Sequence, residues 1–260
     1  MLRFSPCVEM FWPDAPFVER VRRVATLGFD AYEFWSWWDK DLDALELTAQ
    51  DNGLIASACC VRTAFTDPAT PSLLVPEGRE PFMQAVRDCV DIHKRLSCQS
   101  FIVTTGNVLP EVSAAAQHAA CVAALKAAAP IAEDAGFMLV LEPLNTLVDH
   151  AGYYLSSAKE GFEIVDEVGS PAVKLLFDIY HMHVMGGNLT PQIVPNIGKI
   201  GHVHVANHPG RHEPMLGEIN YPYVFDRIAA AGYDRYVGLE FKPSDPDLTS
   251  SILGHVLTLP

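Results

Sequence analysis

The sequence predicts an α/β protein folded as a single (β/α)8 barrel, the TIM-barrel architecture, over residues 1–260. Three observations predict it. Short, β-prone apolar runs alternate with helical patterns along the chain, and that alternation implies a parallel sheet. Eight such runs occur, with glycines at the helix ends and no linker-like or low-complexity break. The length of 260 residues, 49% of them hydrophobic, suits one barrel-sized core. Eight runs with no evident edge strand favour closure over an open doubly wound sheet.

Leu2–Cys7 reads as the first strand. Asp14–Leu27 reads as a helix, with Phe17, Val18, Val21, Val24 and Ala25 at helical spacing and Gly28 at its end. Asp30–Trp35 is the second strand, ending near Glu33. Leu42–Asn52 is a helix closed by Gly53, and Leu54–Val61 the third strand. Arg62–Gly78, rich in Pro and Thr, is a long loop of the kind that covers an active site. Arg79–Leu96 is a helix, and Ser100–Thr104 the fourth strand. Ser113–Ala135 is a long Ala-rich helix in which Pro130 predicts a kink and Gly136 the end. Phe137–Glu142 is strand five. Ser156–Val168 is a helix whose Ser157 and Glu160 fit a capping box. Val173–Asp178 is strand six, followed by a helical segment around Leu189–Asn196. Gly201–Val205 is strand seven, Pro222–Ala231 a helix, Tyr236–Glu240 strand eight, and a short helix closes the chain. The stretch after the first strand, Val8–Asp14, contains no glycine, so a nucleotide-binding loop is not expected there.

Composition excludes some classes of function. The net charge of −14, with no basic stripe, argues against a nucleic-acid partner. No apolar stretch approaches the roughly 20 residues that span a bilayer, and Met1–Pro6 lacks a signal-peptide pattern. A cytoplasmic protein that does not engage a membrane is expected. Cys7, Cys59, Cys60, Cys89, Cys98 and Cys121 show no CxxC spacing and read as reduced, buried thiols.

Four strand ends carry the chemistry. The runs closing at Glu142, Asp178, His204 and Glu240 are nearly free of charge until those residues, which are 36, 26 and 36 positions apart. Each interval is about one strand–helix unit. In a parallel barrel all carboxyl ends of the strands face one rim, so the four side chains converge. Any one of them alone is more simply a cap or a surface group. Four in succession, each closing a nearly uncharged run, are expected to be metal ligands. Three carboxylates and one imidazole suit Mn²⁺ or Mg²⁺, with Co²⁺ also compatible and Zn²⁺ less favoured.

Further segments are recognisable. Phe177–His181 with Gly187–Leu189, Gly201–Ala206 leading into Pro209–Pro214, Gly217–Pro222 and Gly238–Pro243 resemble the hydroxypyruvate isomerase branch of the xylose-isomerase-like barrels. Pro16–Arg20 and Gly28–Phe34 do so as well, and the likeness extends over nearly the whole chain. The resemblance implies a divalent-metal-dependent isomerase of hydroxypyruvate or a similar small 2-oxo-3-hydroxy acid, acting through an enediolate. Glu142 and Glu240 fall on the family's paired glutamates, acting as ligands and as acid and base. Asp178 and His204 fall on its other ligands. His181 matches a substrate-contacting His, and Arg211 approximately matches a substrate-contacting Arg. A guanidinium fork suits a carboxylate, which favours a 2-oxo acid. Some hydroxypyruvate isomerases carry Gln where this chain has His204, whereas the related ketose 3-epimerases carry His. A ketose 3-epimerase acting on tagatose, fructose or ribulose is therefore the alternative. The resemblance also implies a homo-oligomer, a dimer or tetramer. His183 is expected to have no role. Lys242 could face the site or be structural. His208 and His212 read as solvated loop residues. Trp35, Trp37 and Trp38 with Phe11–Trp12 are expected to pack in the core or an interface, or to wall the pocket.

Overall fold

A computed structural model describes residues 2–259. Its eight strands are β1 (Arg3–Pro6), β2 (Ala31–Glu33), β3 (Ile55–Cys60), β4 (Ser100–Val103), β5 (Met138–Leu141), β6 (Val173–Asp178), β7 (Ile200–Val205) and β8 (Tyr236–Leu239). All pair in parallel in the order β1-β8-β7-β6-β5-β4-β3-β2. The seam between β1 and β2 is closed by one bridge, Cys7 to Glu33, with the Val8 N–H donating to the Glu33 carbonyl at 2.9 Å. The result is the nearly closed barrel that the alternation of strands and helices predicts.

The helices are α1 (Phe17–Thr26), α2 (Leu42–Asp51), α3 (Arg79–Leu96), α4 (Ala114–Ala135), α5 (Ala158–Val168), α6 (Ile179–Val184), α7 (Leu189–Ile193), α8 (Tyr221–Ala230) and α9 (Thr249–Val256). Their starts follow the capping side chains. Asp41, Ser113, Ser157 and Asn220 each accept a backbone N–H three residues on, which satisfies a donor that the helix leaves free. Gly136 and Gly169 end α4 and α5 in the left-handed region, at φ +86° and +70°. Helix α4 is one continuous helix that includes Pro130.

Two boundaries differ from expectation for a physical reason. Helix α1 begins at Phe17 rather than Asp14, because Pro16 occupies the cap position with extended backbone. Helix α6 was not expected, since the first helical signal after strand six lay near Leu189. It starts without any intervening loop, because Asp178 ends β6 and also caps α6. The expected segment around Leu189–Asn196 is α7 followed by a 3-10 turn, Val194–Lys199. The Arg62–Gly78 loop holds only a 3-10 turn at Pro76–Gly78.

The strands are buried on both faces, as a closed parallel barrel requires. Their carboxyl ends present Glu33, Glu142, Asp178, His204 and Glu240 to one rim. Asp178 pairs with His204 in register, and His204 with Gly238, so the β6–β8 ends lie side by side. Glu142 and Glu240 each sit one residue beyond a strand rather than within it. Among the described residues no helix is long and apolar enough to cross a membrane. All six cysteines are buried and unbridged.

Candidate metal centre and active site

The four predicted ligands come together. Glu142, Asp178, His204 and Glu240 each offer one ligand atom, all within 4.8 Å of one another, and all four residues are buried. His204 Nδ1 lies 3.5 Å from Glu142 Oε1 and 3.5 Å from Glu240 Oε2, and it is buried without a hydrogen-bond partner. Two like charges at about 4 Å repel by about 4 kcal/mol at an effective dielectric of about 20. Three such pairs approach the whole folding margin of a domain, so protons or a cation must take up the charge. An orphaned buried nitrogen among three carboxylates fits a divalent ion, and these four side chains could hold one.

The two glutamates differ. Burial raises the Glu142 carboxyl to about 7, and His204 only partly opposes it. Among the described residues no N–H or O–H donor holds the Glu142 carboxylate other than the His204 ring at 3.5 Å. Burial would raise Glu240 too, but the Arg211 guanidinium and His204 outweigh it and hold that carboxyl far below the usual range. The Trp35 indole N–H donates to Glu240 Oε1 at 2.7 Å, and Arg211 Nη2 donates to Oε2. Glu240 is thus anchored at both oxygens and Glu142 at neither. Burial also works against a charge on His204, yet Glu33 and Glu240 override it and raise its affinity for a proton.

His181 stands on the first turn of α6, where its own N–H donates to Asp178 Oδ1 at 3.0 Å. Its Nδ1 lies 3.2 Å from the Asn145 N–H and 2.7 Å from Asn145 Nδ2. Asn145 Oδ1 accepts from the Val148 and Asp149 N–H groups, so its Nδ2 is the end that faces His181. With two donors on Nδ1, the ring proton resides on Nε2, which is buried without a partner. Burial, reinforced by Arg211, lowers the ring's pKa well below 6.5, so this histidine is a neutral donor.

Glu142, His181, Arg211 and Glu240 line one cavity of about 340 Å³, within the range of small-ligand sites. Trp35, Trp38, Phe65, Ile102 and Leu144 form its apolar wall. Among the described residues that line it, Arg211 is the one with a fixed positive charge. It lies at φ +58°, an uncommon conformation for a residue with a side chain, in a loop closed by the Asn207–His212 bridge. It pairs with Glu240, whereas Glu213 accepts from Ser244 and Glu218 pairs with His183. Lys242 is exposed and lines a separate cleft with Trp12, away from the ligands. His208 and His212 do not line the cavity. Trp37 donates to the Cys60 carbonyl at 3.0 Å, and Phe11 packs on Phe241. The tryptophans thus divide: Trp35 and Trp38 wall the cavity, while Trp37 is structural.

Sequence reasoning did not assign Glu33, His202, Asn145 or the Trp35–Glu240 contact. Glu33 carried a usable signal. It ends an apolar run, as Glu142 and Asp178 do. Glu33 Oε2 lies 2.8 Å from His202 Nε2, and Oε1 lies 3.4 Å from His204 Nε2. No local pattern links Trp35 to Glu240, 205 residues away.

Comparison with known proteins gives a consistent result. A xylose isomerase-like TIM barrel family matches residues 21–253. The hydroxypyruvate isomerase of Escherichia coli K12 is 31% identical over 94% of each chain. The 2-oxo-tetronate isomerase of Cupriavidus necator is 30% identical, also over 94% of each. A solved structure of an AP endonuclease, family 2, from Brucella melitensis superposes with a TM-score of 0.88 at 30% identity, covering 99% of this chain and 98% of that one.

Proposed function

The chain belongs to the xylose isomerase-like TIM barrel family and is an isomerase; on that footing we propose that it interconverts hydroxypyruvate, or a similar small 2-oxo-3-hydroxy acid, and its aldehyde isomer. One observation carries the reading. The cavity lined by Glu142 and Glu240, two members of the Glu142–Asp178–His204–Glu240 cluster, is also lined by one guanidinium, Arg211. A guanidinium fork binds a carboxylate, and the other side chains provide for proton transfer beside a carbonyl.

Glu142, Asp178, His204 and Glu240 would hold a divalent ion, Mn²⁺ or Mg²⁺ by the oxygen-rich donor set. Such an ion, when bound, polarises a carbonyl and stabilises negative charge on oxygen. The protein's own groups do the rest. Arg211 holds the substrate carboxylate while keeping Glu240 ionised. Glu142, free of anchoring donors, removes a proton from the hydroxyl-bearing carbon. The resulting enediolate takes a hydrogen bond from His181 Nε2–H. Glu142 returns the proton to the former carbonyl carbon, and the hydroxyl proton passes between the two oxygens. A hydroxyketone thereby becomes a hydroxyaldehyde, with atoms and electrons conserved. The apolar wall of Trp35, Trp38 and Phe65 limits water around the intermediate.

His204 favours a second reading, the ketose 3-epimerase. There the proton returns to the opposite face of the same carbon, which needs a base on each side, and Glu142 and Glu240 would supply them. The two readings part on Arg211. Exchange of carbon-bound hydrogen in D₂O is followed by NMR with hydroxypyruvate, a 2-oxo-tetronate, fructose, tagatose and ribulose. We expect metal-dependent exchange with the acids. We also expect Arg211→Gln to lower kcat/KM for them by about 10²-fold, the loss of a charge-assisted hydrogen-bond pair. Exchange confined to the ketoses would overturn the substrate class, and no exchange with any of the five would overturn the mechanism.

The site also predicts a pH dependence of metal binding. Metal-free Glu142 holds a proton below about 7, because burial raises its pKa. That proton must leave for the carboxylate to become a ligand, so affinity falls as pH drops through 7, by about tenfold per unit for each proton displaced. Calorimetric titration with Mn²⁺ at several pH values, in buffers of different ionisation heat, measures both the slope and the proton release. An affinity that does not change between pH 6 and 8 would contradict it.

A further inference from the structure

We propose that Glu33 is a positioning residue for the metal centre: its carboxylate faces His204 Nε2 and keeps the ring proton there, and thereby presents His204 Nδ1, as a lone pair, to the ligand cluster. The proposal rests on the reading that Glu142, Asp178, His204 and Glu240 hold a divalent ion, and it extends that reading one layer inward.

Glu33 ends β2, and its side chain lies inside the barrel, almost fully buried at 1% exposure. A buried carboxylate needs donors on both oxygens. Oε2 lies 2.8 Å from His202 Nε2 and accepts from Ser5 Oγ at 3.4 Å and Ser57 Oγ at 3.5 Å. Oε1 lies 3.4 Å from His204 Nε2 as an ion-pair contact, and among the described residues neither of these two buried atoms has a hydrogen-bond partner. If Nε2 carried its lone pair, two lone pairs would face each other in the interior. A proton on Nε2 removes that conflict. It leaves Nδ1 as the nitrogen able to coordinate, and Nδ1 is the one that faces Glu142 and Glu240 at 3.5 Å each. A carboxylate on the far nitrogen of a ligating imidazole fixes its tautomer and raises its basicity as a ligand.

Gly238 gives independent support. It is the register partner of His204 on β8. A Cβ there would come within 2.3 Å of Glu33 Oε1 and 2.5 Å of the His204 ring. The space beside Gly238 is therefore what lets this carboxylate reach this imidazole. Glu33, His202 and His204 could in principle chelate a second ion of their own. The direct Glu33–His202 contact and the two serine hydroxyls already fill that carboxylate's other oxygen, so we assign the trio to positioning.

Metal-free wild type, Glu33→Gln and Gly238→Ala are titrated with Mn²⁺ by calorimetry and electron paramagnetic resonance, after circular dichroism establishes that each is folded. We expect one ion per chain in wild type and an affinity lower by 10- to 100-fold in both variants, the usual effect of losing such a partner. Wild type labelled with ¹⁵N-histidine and loaded with Mg²⁺ gives a readout that needs no variant to fold. His204 should show a protonated Nε2 and an unprotonated Nδ1. A proton on Nδ1, wild-type affinity in folded Glu33→Gln, or two ions per chain would each overturn the proposal. No binding by wild type would overturn the metal reading itself.

Discussion

Glu142→Gln is expected to leave a folded protein that still takes up metal and exchanges substrate hydrogen at least 10³-fold more slowly. The amide keeps an oxygen for the ion and nearly the same volume, so packing around β5 changes little. What it loses is the ability to accept a proton, and general acid–base catalysis contributes about 10²- to 10⁴-fold. The upper part of that range is expected here because the other groups at the cavity are poor substitutes: the half-buried His150 ring also lines it, but burial lowers its basicity. Glu240 is held by Trp35 and Arg211, His181 Nδ1 is occupied by Asn145, and burial raises the Cys60 thiol well above its ordinary pKa. Exchange in D₂O measured by NMR, alongside metal content, checks it. A variant that retains metal and loses less than tenfold would show that Glu142 is not the base. A protein that only bound its ligand would show little change of any kind.

Removal of metal is the second large effect. Protein stripped with a chelator at neutral pH is expected to lose measurable turnover and to recover it with Mn²⁺ or Mg²⁺. It should also melt at a lower temperature. An ion present at 100 times its Kd contributes about 2.7 kcal/mol to stability by mass action. The stripped site must in addition hold the buried Glu142 and Asp178, whose carboxyls burial raises, with protons in place of the ion. Thermal unfolding with and without each cation, paired with turnover, tests both halves. Full activity in a chelated sample whose metal content is shown to be nil would remove the ion from the reaction.

Much of this was legible beforehand because a closed parallel barrel writes simple strands. Both faces are buried, so each strand is an apolar run, and an ionisable residue at its end stands out. Glu142, Asp178, His204 and Glu240 were visible for that reason. His181 and Arg211 were not visible from pattern and came from resemblance, since a histidine on a helix and an arginine in a loop have no distinctive spacing. Helix α6 was hidden because Asp178 serves two elements at once, leaving no glycine or polar stretch to mark the boundary. Glu33 stood at the end of a strand only three residues long. Its meaning depends on His202 and His204, which lie about two-thirds of the chain away. Trp35 was seen as bulk; its N–H matters only once β8 has brought Glu240 alongside.

The order of the strands bears on how the protein is made. β1 pairs with β8, with Arg3 opposite Tyr236, so barrel closure spans nearly the whole sequence. Such long-range pairing forms late, because loop closure must precede any gain from it. A nascent chain that has emerged only as far as β7 carries Glu142, Asp178 and His204 but not Glu240 or the Gly238 that makes room beside Glu33. The ion site therefore cannot be completed on a partial barrel. On the reading that these four side chains hold an ion, the unfinished chain would offer cations a poorer set of ligands than the finished one, and tight capture of an ion would mark completed folding.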